Sequence, residues 1–104
     1  MKNQEEINNK KTAVALVISN YLSEGSLGHT LSDIAFVANK YGLRLNRQTL
    51  HNWYYEKYLP NPNVLYLYIY KLGMLTKKHG DEAWKLLSFF MEVSDAAGYG
   101  KETK

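Results

Sequence analysis

The 104-residue chain contains no cysteine. That excludes disulfides, thiol nucleophiles and Cys-ligated zinc or iron–sulfur centres, the usual reinforcement of small secreted domains, and makes an intracellular, cytoplasmic protein the expectation. Proline is almost as scarce, with only Pro60 and Pro62, so a single stretch is compelled to interrupt helix. No apolar run approaches the ~20 residues that a membrane-spanning helix needs. A secretory leader is not expected either: residues 13–18 are apolar behind Lys10 and Lys11, but the run is short and Glu5 and Glu6 spoil the basic flank.

A third deficit is local. The formal charge is only +3, yet residues 61–80 hold three lysines and no carboxylate, and residues 30–60 hold four cations against two carboxylates. Residues 81–104 reverse the balance, with three cations against five carboxylates. This polarity favours an anionic partner over the central segment. What remains is ordinary: 45% hydrophobic and 22% charged residues suit a soluble globular chain of a length that builds one core.

The apolar spacing predicts helices. Residues 1–11 are polar and are expected to form a loose tail, followed by one domain over 12–98 and a short tail over 99–104. In the first helix, 12–24, Val14, Val17, Ile18, Tyr21 and Leu22 recur at three- and four-residue steps before Gly25 and Gly28. Thr30 with Asp33 makes a capping box for a second helix whose stripe is Leu31, Ile34, Ala35, Ala38 and Tyr41, ending at Gly42. Asn46 suits the N-cap of a third helix over 47–58, with Leu50 and Trp53 inward.

Asn61 and Pro62 start a fourth helix expected to close at Gly73. Its segment VLYLYIY also alternates with period two, as a half-buried strand would; the caps at both ends favour helix. A fifth helix opens at Asp81 and Glu82 and carries Leu86, Leu87, Phe90, Met91 and Ala97 on one side until Gly98. Trp84, Phe89 and Val93 fall on its other faces. A helix apolar on several sides lies deep in a core or meets a second chain.

Little here supports catalysis or a cofactor. His29, His51 and His79 are isolated, with neither the spacing nor the company of a metal site. There is no nucleophile elbow, no phosphate-binding glycine loop with Lys-Ser/Thr, and no carboxylate pair in an apolar setting. The chain is therefore expected to be a binding protein, not an enzyme.

The binding chemistry centres on residues 30–58, two helices joined by a short turn, the outline of a helix-turn-helix. In that arrangement the first helix braces the second, which lies in the DNA major groove. With Leu50 and Trp53 inward, Arg47, Gln48, His51, Asn52 and Tyr55 point out. Arginine can donate twice to guanine, and Gln or Asn can pair bidentately with adenine. A merely solvated helix surface more often carries Glu and Lys.

Residues 48–73, QTLHNWYYEKYLPNPNVLYLYIYKLG, resemble the lambda-repressor-like family, the phage repressor and Cro type of helix-turn-helix. Leu50 stands three before Trp53; Lys57, Leu59 and Pro60 follow at the family's offsets; Leu72-Gly73 closes the next helix; and Ala38 with Gly42 matches the Ala-x3-Gly of the first motif helix. The likeness spans residues 30–73 and has departures: two extra residues before Leu50, His51 for a frequent Ser, Tyr54 for Glu, Glu56 for Gly and Ile69 for Ala.

The resemblance implies an all-α, five-helix domain that binds double-stranded DNA in a sequence-specific way, commonly as a dimer, to regulate transcription as a repressor. Arg47, Gln48, His51 and Asn52 are the expected base readers. Thr30 with the free amides of its helix start, Arg44, Tyr55 and Lys57 are the expected phosphate contacts. Trp84, Leu87, Phe89, Phe90, Met91 and Val93 on the fifth helix are the expected homodimer interface. Lys40, Lys77 and Lys78 read as solvated charges, and Trp53, Tyr58, Tyr66 and Tyr70 as core or interface rather than a stacking platform. The alternative is a protein-binding module on the same fold, an antitoxin or phage assembly component, docking through the fifth helix.

Overall fold

The structure, a computed structural model, describes residues 4–99. They form five helices: α1 (Gln4–Glu24), α2 (Leu31–Lys40), α3 (Arg47–Tyr54), α4 (Pro62–His79) and α5 (Asp81–Ala96). No strand occurs among the described residues, and a lone bridge between Ser26 and Gly28 is the only extended pairing.

The polar N-terminal stretch is not a tail from Gln4 onward; α1 begins there, upstream of Thr12. Glu5 and Glu6 occupy its first turn, where the helix dipole favours negative charge. The polar part is also tied to the chain beyond α3: Thr12 Oγ1 donates to Glu56 Oε1 at 2.9 Å, and Lys11 Nζ donates to the Lys57 carbonyl at 3.5 Å. Residues 1–3 lie outside the described residues.

α2 forms as its sequence dictates. Thr30 Oγ1 accepts from the Asp33 amide at 3.1 Å and Asp33 Oδ2 accepts from the Thr30 amide at 3.1 Å, closing the capping box. The six residues between α2 and α3, 41–46, are an anchored strap. Leu43 and Leu45 are buried, and Asn39 Nδ2 donates to the carbonyls of Ala35 (2.8 Å) and Leu45 (2.6 Å), which ties the strap back to α2.

α3 is shorter than the sequence suggests, ending at Tyr54 and not at Tyr58. Its stop is a Schellman turn: the Lys57 amide donates to Asn52 O at 2.8 Å, the Glu56 amide to Trp53 O at 3.2 Å, and Glu56 sits at φ 61. That left-handed position normally selects glycine; here the Thr12 hydroxyl holds the Glu56 side chain. α4 overruns its expected end at Gly73 and continues to His79, where Gly80 at φ 73 turns the chain into α5. Leu65, Tyr68 and Leu72 are its buried residues, a helical and not a two-residue period.

The core is one contiguous cluster with α5 at its centre. α4 runs along α5, α1 packs on α5 and α3, and α2 packs on α3. Phe89 and Phe90 are wholly buried, and the Tyr21 ring meets Phe89 edge-on at 5.0 Å. Tyr99, expected in a tail, is packed against this core and its hydroxyl donates to the Pro60 carbonyl at 2.6 Å. Residues 100–104 lie outside the described residues.

Candidate nucleic-acid interface

α3 is held by its inner side. Leu50 is completely buried and Trp53 2% exposed, while Tyr54 packs at the core margin. Asn46 Oδ1 accepts from the Thr49 amide at 2.8 Å and fixes the start. The opposite side, from Arg47 through Tyr55, has no Asp or Glu.

Arg47 and Gln48 are exposed on the first turn, and no hydrogen bond or ion pair within the described residues engages the Arg47 guanidinium. Gln48 Nε2 donates to Asn52 Oδ1 at 3.2 Å, and Asn52 Nδ2 donates in turn to the Tyr58 hydroxyl at 3.0 Å. Asn52 is half-buried and bonded through both ends of its amide. Its geometry is that of a brace for Gln48, whose Oε1 and second amide hydrogen remain outward. His51 is half-buried against Tyr55, ring centroids 4.5 Å apart, and its Nδ1 is buried with no partner. Only the other edge of the imidazole can meet a ligand.

The expected phosphate contacts separate. Arg44 is exposed between two buried leucines, and its carbonyl accepts from the Tyr68 hydroxyl at 2.7 Å, so its side chain springs from a pinned backbone. Burial raises the Tyr68 phenol above its ordinary pKa and keeps that donor protonated. Tyr55 is exposed at the end of α3, and Lys57 is exposed in the Schellman turn, not on the helix.

Thr30 is different: a carboxylate already sits beside its helix start, although of the first three helix amides the capping box engages only that of Asp33, through Thr30 Oγ1, and not those of Leu31 and Ser32. Asp33 Oδ2 accepts from the amides of both His29 (3.0 Å) and Thr30 (3.1 Å), and these bonds, the His29 amide first, hold the Asp33 carboxyl below its ordinary pKa. A carboxylate already stands where a phosphate would approach. Lys40 is paired as well, with Glu82 Oε1 at 2.6 Å, an oxygen that also accepts from the Tyr41 hydroxyl at 2.9 Å.

The expected interface on α5 is mostly core. Leu87, Phe89, Phe90 and Val93 are buried beneath neighbouring helices, and only Trp84 and Met91 reach the surface, 56% and 51% exposed. α5 is apolar on several sides because α1 and α4 both pack against it within the same chain. Sequence reasoning missed where the exposed apolar surface does lie. Its longest row runs along α4, where Leu67, Tyr70 and Met74 point away from the buried Leu65, Tyr68 and Leu72, while Phe36 of α2 and Leu16 of α1 are exposed elsewhere. Counting helical steps through Gly73 would have found it.

Among the described residues no cluster of His, Asp and Glu is placed to hold a metal ion, and no helix is long and apolar enough to cross a membrane. No protein-family model, curated protein or solved structure matches the chain. The functional reading therefore rests on the geometry of these faces.

Proposed function

We propose that this chain is a sequence-specific double-stranded DNA-binding regulator of transcription, of repressor type, with α2 and α3 acting as a lambda-repressor-like helix-turn-helix. α3 lies in the major groove in this reading, Arg47 and Gln48 read base edges, Asn52 orients Gln48, and the outer edge of His51 adds a contact. Arg44, Tyr55 and Lys57 flank it as phosphate contacts.

One observation carries the reading: α3 presents an outward side of guanidinium and amide groups, free of carboxylates, on a helix whose other side is locked by Leu50 and Trp53. The lengthened strap is compatible with it, because Leu43, Leu45 and the Asn39 bonds make those extra residues rigid. Groove binding demands a fixed angle between the two helices more than a particular turn length.

Selection of bound duplexes from a random library tests the proposal. The expected result is an enriched motif whose binding weakens steeply with salt, through release of counterions from the contacted phosphates. An unenriched pool, or wild-type selectivity in a protein carrying both Arg47→Ala and Gln48→Ala, would overturn it.

A further inference from the structure

α4 presents a second surface of different chemistry. Leu67, Tyr70 and Met74 are 49%, 66% and 60% exposed, and they recur at steps of three and four residues. That is the spacing of a helix–helix seam. Lys71, Lys77 and Lys78 surround the seam toward its C-terminal half, and none of them is in a salt bridge among the described residues. Over all 18 residues α4 has no Asp or Glu. The helix dipole draws cations to a C-terminal turn, but it requires neither the total absence of carboxylates nor an apolar seam turned to water.

Gly73 sharpens the picture. A glycine inside a helix destabilises it relative to alanine, and packing within this chain gives no reason for one, since a Cβ at Gly73 would meet nothing within 4 Å. It lies beside the seam, three residues after Tyr70 and one before Met74. A missing side chain at an exposed mid-helix position admits the close approach of an external backbone.

We propose that the outward face of α4 docks an acidic amphipathic helix of a partner protein, with apolar residues on the Leu67–Tyr70–Met74 seam and carboxylates against Lys71, Lys77 and Lys78. The inference is independent of DNA binding by α3. A second copy of α4 fits less well, because it would bring more lysines and no carboxylate. A phosphate backbone leaves the seam without a mate, and a bilayer surface has no use for the gap at Gly73.

The test uses the full chain and synthetic helical peptides with leucines at heptad a and d positions, flanked either by Glu or by Lys. The Glu peptide is expected to bind saturably, more weakly as salt rises, and the Lys peptide not at all. Leu67→Ser with Met74→Ser should weaken the Glu peptide at least ~tenfold, as loss of a central anchor does. Lys71→Glu, Lys77→Glu and Lys78→Glu together should exchange the preference from the Glu to the Lys peptide. Leu16→Ser, at a comparably exposed leucine of α1, should change nothing.

Gly73→Ala gives the readout that a merely structural role would not: thermal stability rises while peptide affinity falls. No binding of the Glu peptide, equal binding of both peptides, or undiminished affinity in Gly73→Ala overturns the proposal. So does sedimentation showing wild-type dimers that Met74→Glu dissolves, or capture by anionic phospholipid vesicles that Leu67→Ser abolishes.

Discussion

The outer sides of α3 and α4 differ in kind although both helices stand on the same core. α3 hides Leu50 and Trp53 and shows Arg47 and Gln48; α4 hides Leu65, Tyr68 and Leu72 and shows Leu67, Tyr70 and Met74. Both carry cations and no carboxylate, one arginine on α3 and three lysines on α4. Charge alone thus fails to distinguish them, and the groups between the charges do. Amides and a guanidinium suit hydrogen-bonding base edges, whereas a row of half-exposed apolar side chains gains only by leaving water.

The strongest way to break the comparison is to remove the shared support. Trp53→Ala should cost about 3–5 kcal/mol of folding stability, as large-to-small changes of buried aromatics do, measured by urea denaturation. Loss of under about 1 kcal/mol would mean that α3 is not held by its inner side. Next, Arg47→Ala should cost roughly 1–3 kcal/mol for a cognate duplex and leave folding stability within about 0.5 kcal/mol. Leu67→Ser should do the converse to peptide binding, with duplex affinity unchanged in a mobility-shift titration. If either substitution harms both partners, the two sides are not separate sites.

A finer probe is the start of α2, the helix that packs on α3. Thr30→Ala should cost about 1 kcal/mol, the usual worth of an N-cap. Asp33 makes the same site pH-dependent. Its carboxyl is held low in the folded state by the His29 and Thr30 amides, so its contribution is complete above the ordinary carboxylate range and is lost as pH falls through the depressed value. Asp33→Asn should flatten the acid side of the stability–pH curve, and an unchanged slope would exclude that carboxylate as its source. The smallest effect belongs to the half-exposed Lys40–Glu82 pair. Lys40→Gln should lower stability only marginally, as solvent-screened surface pairs contribute little, and leave duplex affinity unaltered, since its ammonium is already matched.

The sequence was most legible where local chemistry and packing agree. α2 matches its prediction because Thr30, Asp33 and the Leu31–Ile34–Ala38 stripe all specify one start and one buried side. Disagreement arose where a local signal is permissive. Gly73 reads as a stop, yet a glycine ends a helix only if the backbone turns there; the chain turns instead at Gly80, and Met74 to His79 continue as acceptable helix residues. Gln4 to Lys11 carry no apolar period, and the distant bonds that anchor this part of α1 come at its end, from Lys11 to the Lys57 carbonyl and from the next residue, Thr12, to Glu56. The C-terminal end of α3 was overextended because nothing in Tyr55-Glu56 announces a left-handed residue.

The candidate sites show the same division. The outward positions of α3 followed from counting around the helix, but whether an amide there is free or already bonded, as for Asn52, depends on Tyr58 six residues away. The apolar breadth of α5 was visible, and its meaning was not. Leu87, Phe89, Phe90 and Val93 could be assigned to the core only when α1 and α4 were seen to pack against the same helix.

The contact between α1 and α5 also has a temporal side. Of the five helices the first to be synthesised, α1, buries Val14, Ile18 and Tyr21 partly beneath the last of the five, α5. Until Phe89 emerges the part of that greasy stripe that faces α5 stays uncovered, inviting chaperones and proteases. Premature termination anywhere before α5 should therefore yield no half-active fragment, only substrate for degradation.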